Sequence, residues 1–137
     1  MTEQDILGRL VPLVRQVTGA RPEEITLGKY LMRDLGAESI DLLDLSFLIE
    51  EEFAVTLEPD EFESQARERL GGADYEREGY LTEASLAELR KALPEVDPEL
   101  LRGPMKKIEV PSVLNVAVFV HLIQHKLAGR EREERVA

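Results

Sequence analysis

The stretch Ser39 to Phe53, SIDLLDLSFLIEEEF, limits the fold more than any other part of the chain, because it is apolar on two sides at once. Wound as a helix of about 3.6 residues per turn, it lines up Leu42, Leu45, Ile49 and Phe53 on one side. Ile40, Leu43 and Phe47 fall on nearly the opposite side, beside Asp44 and Glu51. A surface helix of a small globule buries one apolar stripe. The second stripe is then left over, and an apolar strip rimmed by carboxylates suits a partner. The alternative is a larger bundle that buries both stripes, since the region after residue 57 is long enough to cover one of them.

The remaining segments also read as helices, and no strand pattern stands out, so the expected fold is all-α. Ile6, Leu10, Leu13, Val14 and Val17 have helical spacing. Pro12 interrupts them and predicts a kink, because its ring presses on the carbonyl of Gly8; Gly19 is the expected stop. The loop over 18–38 carries Ile25, Leu27, Tyr30, Leu31 and Leu35 as inward anchors. Pro59 opens a helix to about Leu70 along Phe62, Ala66 and Leu70. Thr82 N-caps another, with Leu86, Leu89 and Leu93 on one face, ended by Pro94 and Pro98. Met105, Ile108 and Val110 anchor the next connector. A last helix runs from Pro111 or Ser112 to about Leu127, apolar nearly all round and so expected to be covered on several sides. Residues 128–137 read as a frayed charged tail.

Bulk properties narrow the function classes. The 137 residues fit one domain, with 43% apolar residues for its core. A net charge of -11 opposes nucleic acid and anionic membranes and favours partners with basic patches. No apolar run approaches a membrane span, and the polar N-terminus lacks the order of a secretion signal. Cysteine is absent, which removes disulfides, thiol nucleophiles and thiolate metal sites and fits the cytoplasm. A monomer is the default.

Chemistry concentrates in Asp34-Leu35-Gly36-Ala37-Glu38-Ser39-Ile40-Asp41. Ser39 starts a helix, where unpaired N–H groups and the helix dipole favour an attached phosphate. Gly36 lets the backbone turn tightly. Asp34, Glu38 and Asp41 surround the serine with carboxylates. With no histidine nearby in sequence, they do not make it a hydrolase nucleophile. They suit a basic partner, or a magnesium ion that the partner brings. The arrangement fits a serine modified by another enzyme.

This octapeptide resembles the phosphopantetheine attachment site of acyl carrier proteins. The resemblance extends back through Gly19 to Asp41, GARPEEITLGKYLMRDLGAESID, on through the helix ending Glu50-Glu51-Glu52-Phe53, and to Pro111–Leu127 as the family's last helix. It implies an acyl-carrier-like bundle of three main helices plus short ones. Residues 1–57 and 110–127 would form the carrier core, with 58–109 as an extra helical insertion. It also implies a carrier rather than an enzyme, with 4'-phosphopantetheine from coenzyme A attached to Ser39 by a phosphopantetheinyl transferase. Ile40, Leu43 and Phe47 would contact that transferase and chain-processing partners such as ketosynthases and acyltransferases. Asp41, Asp44, Glu50 and Glu51 would meet their basic residues, and Leu45 and Ile49 would help line an acyl pocket. The cargo would serve fatty acid, polyketide or specialised lipid biosynthesis. Two departures stand out: Glu38 replaces the usual Asp, and the insertion has no counterpart in a typical member. An unmodified carrier-fold subunit with an interaction or regulatory role is the alternative.

Two weaker signals remain. Asp74 to Leu81 follows the first eight positions of a calcium-binding EF-hand loop, but Ser85 stands where the bidentate Glu belongs, so an acidic interhelical turn is the simpler reading. His121 and His125 lie one turn apart without an evident third metal ligand, and read as a surface pair near a helix C-terminus.

Overall fold

A computed structural model describes residues 1–58 and 60–136. Five α-helices make up most of it: α1 (Glu3–Thr18), α2 (Ser39–Phe53), α3 (Glu61–Leu70), α4 (Glu83–Ala92) and α5 (Val116–Val136). Short 3₁₀ segments lie at Pro22–Glu24, Pro98–Leu101 and Lys107–Val113. The Pro59 helix start lies outside the described residues, and α3 is helical from Glu61. One apolar core runs through both the N-terminal helices and the α3–α4 region.

Local chemistry explains the boundaries. Thr2 and Asp5 cap α1 reciprocally, each side chain accepting the other's backbone N–H. The helix runs through Pro12 and ends at Gly19, whose φ of 75° is the left-handed conformation glycine adopts freely. Thr82 caps α4 by accepting the Ser85 N–H. Leu86 and Leu89 are fully buried and Leu93 nearly so.

Four expectations need correction. The turn after α3 is not purely irregular: β1 (Glu76–Arg77) and β2 (Tyr80–Leu81) form a small antiparallel hairpin, with Arg77 opposite Tyr80. Glu78 and Gly79 take up its turn with positive φ. The alternation is too short to show as a strand pattern. Ile108 is 82% exposed rather than an anchor, while Met105 and Val110 are buried as expected. The last helix begins at Val116, several residues later than expected, because Asn115 accepts the Val118 N–H and acts as its cap. It then continues to Val136, through the stretch read as a frayed tail.

Asn115 also ties distant segments together. It is buried, and its side-chain amide donates to the Glu95 carbonyl (3.0 Å). Its backbone forms a bridge with Tyr30. Around that bridge Leu31 N–H donates to the Leu114 carbonyl and Val116 N–H to the Lys29 carbonyl. Tyr30 accepts the Asp97 N–H on its hydroxyl. The loop before α2, the segment after α4 and the start of α5 thus hold one another in place.

Arg residues fasten the far end of α2. Arg9 donates to the Glu52 carbonyl (2.6 Å) and lies over the Phe53 ring. Arg130, on the α5 extension, donates to the Ala54 carbonyl (2.8 Å). No helix among the described residues is long and apolar enough to cross a membrane.

Candidate functional site

The two stripes of α2 have opposite fates. Leu45 and Ile49 are fully buried, and Leu42 and Phe53 nearly so. Ile40, Leu43 and Phe47 are 63%, 54% and 59% exposed. A larger bundle covering both stripes is therefore ruled out. An apolar side chain of this size left in water forgoes about 1.5–3 kcal/mol. More than half of each of the three is left in water on one helix, and together they form a ready contact surface.

Ser39 is the first residue of α2 and is exposed. The preceding loop is built to present it. Leu35 and Ala37 are buried anchors, and Gly36 between them turns the chain with φ of 75°. Ala37 N–H donates to the Leu31 carbonyl (2.9 Å). Asp34 accepts the Tyr30 N–H (2.8 Å), and Asp41 accepts the Glu38 N–H (2.8 Å). Two of the carboxylates expected around the serine thus spend an oxygen shaping the backbone. A helix cannot satisfy its own first-turn N–H groups, which here lie at Ser39 and Ile40 and suit a phosphate.

Along α2 the acidic residues divide. Asp44 and Glu51 are exposed beside the apolar stripe. Glu50 is half-buried and accepts the Leu57 N–H (2.9 Å), so it holds the loop after α2. Glu52 pairs with Arg9.

A cleft of about 300 Å³ opens beside Ser39 and runs between α2, α3 and α5. Leu42, Leu43 and Phe47 form one side, and Phe62, Leu114 and Phe119 the other. Leu45 and Ile49, expected to line an acyl pocket, are absent from its walls: they lie on the sealed stripe. Sequence reasoning missed Leu57, Phe62, Leu114, Phe119 and Leu122. The available signal was that Leu114 and Leu122 fall off the main apolar line of the stretch read as the last helix, which leaves them a different space to face.

The secondary sites resolve more simply. Asp74 pairs with Arg77 (2.9 Å), and its carbonyl accepts the Thr82 hydroxyl. Among the described residues no group of three or more His, Asp or Glu side chains is placed to hold a metal ion. His121 lies well inside α5 rather than near its C-terminus, because that helix is longer than expected. It is bracketed by Glu95 at 2.7 Å and Glu3 at 3.5 Å. The hydrogen bond to Glu95 raises its pKa above the ordinary value, against the opposing effect of partial burial.

Residues 8–67 match the model of the phosphopantetheine attachment site, so the match reaches into α3. The chain is 34% identical over 64 residues to an acyl carrier protein of Exiguobacterium sibiricum, covering 47% of this chain and 81% of that one. It is 32% identical over 63 residues to an acyl carrier protein of Petrotoga mobilis, covering 46% of this chain and 74% of that one. No solved structure matches significantly.

Proposed function

Since the chain belongs to the acyl carrier protein family, whose members are carriers rather than enzymes and bear phosphopantetheine, we propose that Ser39 is the attachment residue and that acyl intermediates are delivered from it to partner enzymes. The observation that carries this reading is the coincidence of three features at one helix end: an exposed hydroxyl, unsatisfied N–H groups and the mouth of an apolar cleft. The residues fit the group. The phosphodiester would sit at the α2 N-terminus near Ser39 and Ile40, and the exposed hydroxyl leaves room for a transferase. The bound arm supplies a terminal thiol that holds acyl groups as thioesters.

The chain's own residues do the rest. Ile40, Leu43 and Phe47 offer partners an apolar strip, while Asp44 and Glu51 orient a basic docking patch by charge. Phosphopantetheinyl transferase, ketosynthases and acyltransferases are the partners this surface suits. Exposed charge pairs are screened and weak, which favours quick release between partners. Glu50 and Asp41, tied to backbone N–H groups, contribute field rather than a free carboxylate. The cleft beside Ser39 shelters the cargo with Leu42, Phe62, Leu114 and Phe119 in place of Leu45 and Ile49.

Incubation with coenzyme A and a broad-specificity transferase is expected to add the arm's mass to wild type and nothing to Ser39→Ala. Wild type left unmodified by several transferases would overturn the assignment.

A further inference from the structure

One exposed apolar residue is not accounted for by the α2 strip. Among the described residues Ile108 is the most exposed large apolar side chain, at 82%, yet its backbone is firmly held. Met105 before it and Val110 after it are buried. Leu81 N–H donates to the Met105 carbonyl and Lys107 N–H to the Gly79 carbonyl, both at 2.9 Å. The connector thus runs as a third row beside the β1–β2 hairpin, with Lys106 opposite Tyr80. Glu109 then accepts the Lys106 N–H and closes the turn (3.3 Å). A loose loop would average the position of a bare isoleucine. This one fixes it in water, which lowers the ordering cost of a contact.

Its place relative to Ser39 follows from the 3₁₀ segment, where residues three apart share an edge. Val110 and Val113 share the buried edge. Ile108 and Pro111 share another, and Pro111 lines the cleft with Ser39 and Leu43. At a rise of about 2 Å per residue, Ile108 stands about 6 Å from that wall, on the bank facing α2.

The charges on this bank are opposite to those of α2. There Asp44 and Glu51 flank the apolar strip. Here Lys106 is exposed and Lys107 half-buried, and neither amine has a carboxylate within 4.0 Å among the described residues. The Lys106 amine lies over the exposed Tyr80 ring, 5.9 Å from its centroid. Tyr80, Lys106, Lys107 and Ile108 all fall outside residues 8–67, the part that matches the family model.

We propose that these four residues form a second docking element, which takes an acyl-processing enzyme whose basic patch is bordered by an apolar socket and a carboxylate. This rests on the reading of Ser39 as the tether and α2 as the main docking face. A partner seated on α2 with its entrance at Ser39 is carried over this bank. Ile108 then fills the socket and the lysines meet the carboxylate. A uniformly basic partner instead meets two like charges. The element therefore sorts partners that α2 alone would treat alike.

The test uses the full chain loaded at Ser39, with the purified ketosynthases and acyltransferases encoded in the same genome. A broad-specificity phosphopantetheinyl transferase serves as the reference enzyme. The variants are Ile108→Ser, a Lys106→Glu/Lys107→Glu pair, and a Lys106→Arg/Lys107→Arg pair. Intact mass verifies loading and an unchanged Tm verifies the fold; Lys106→Glu alone replaces the Glu pair if that pair lowers Tm. At least one enzyme is expected to lose about tenfold in kcat/KM with Ile108→Ser and with the Glu pair, as for a hot-spot contact. It should keep the wild-type value with the Arg pair, and the loss with the Glu pair should shrink as salt rises. The reference transferase should stay within about twofold, short of a hot-spot loss. Enzymes that all treat Ile108→Ser and the Glu pair like wild type overturn the element. A Glu pair that speeds every enzyme overturns the carboxylate, and an equal loss by the transferase overturns the sorting. Failure to load overturns the Ser39 assignment instead, and loading without turnover by any enzyme overturns delivery.

Discussion

Leu43 and Leu45 stand two positions apart on one helix and show how residue placement separates a core side chain from one of the proposed docking surface. Leu45 is fully buried and Leu43 is 54% exposed. Leu45→Ala leaves a cavity in the core, and such truncations cost about 2–5 kcal/mol. Leu43→Glu puts a charge where water already is, and surface changes of this kind stay within about 0.5 kcal/mol. The expected outcome is a crossed pair. Denaturant unfolding should detect Leu45→Ala and barely register Leu43→Glu. Transferase kinetics should show the reverse, with Leu43→Glu losing roughly tenfold or more in kcat/KM, as for loss of a contact hot spot. A Leu43→Glu variant modified at the wild-type rate would remove the apolar strip from the docking surface.

Among the elements, α5 departs furthest from its sequence pattern, and its extension does structural work. Arg130 donates to the Ala54 carbonyl, at the residue that ends α2 with φ of 54°. Lys126, one turn earlier, pairs with Glu61 at 2.9 Å. Arg130→Ala is expected to lower stability by about 1 kcal/mol, the net worth of a typical hydrogen bond, read as a shifted denaturant midpoint. A frayed tail would give no shift. The sequence missed this because Gly129-Arg-Glu-Arg-Glu-Glu has no apolar line, and periodicity finds only helices that bury a face. It missed the start of α5 for a related reason: Val113 and Leu114 continue the apolar pattern although they belong to the connector, and the cap is a buried Asn that tertiary contacts select. The bounds and both stripes of α2 were legible because burial there follows the helical period without interference. The cleft was only half legible. Leu42, Leu43 and Phe47 lie on a readable helix, whereas Phe62 and Leu122 become neighbours only through the packing of distant segments.

At the scale of the whole molecule, His121 joins three parts of the chain: its own α5, Glu3 at the head of α1, and Glu95 beyond α4. Its folded-state pKa is raised, first by the hydrogen bond to Glu95. A raised pKa means that the protonated imidazole stabilises the native state. That contribution is complete below the unfolded value of about 6.5 and disappears as pH climbs through the higher folded one. The stability gap between wild type and His121→Gln is therefore expected to be widest in mildly acidic solution and to narrow toward alkaline pH, as measured by thermal unfolding across that range. A gap independent of pH would show that the bracket holds through packing alone.

The knot at Asn115 has a consequence for the order of events during translation. The polypeptide leaves the ribosome N-terminus first, so Tyr30 and Ser39 emerge long before Asn115, whose backbone bridges Tyr30. Until Leu114, Phe119 and Leu122 follow, the hollow beside that hydroxyl has no far side. That hollow is thus among the last features the nascent protein acquires, and on the proposed reading of it as cargo space an acyl tail attached too early would hang in water.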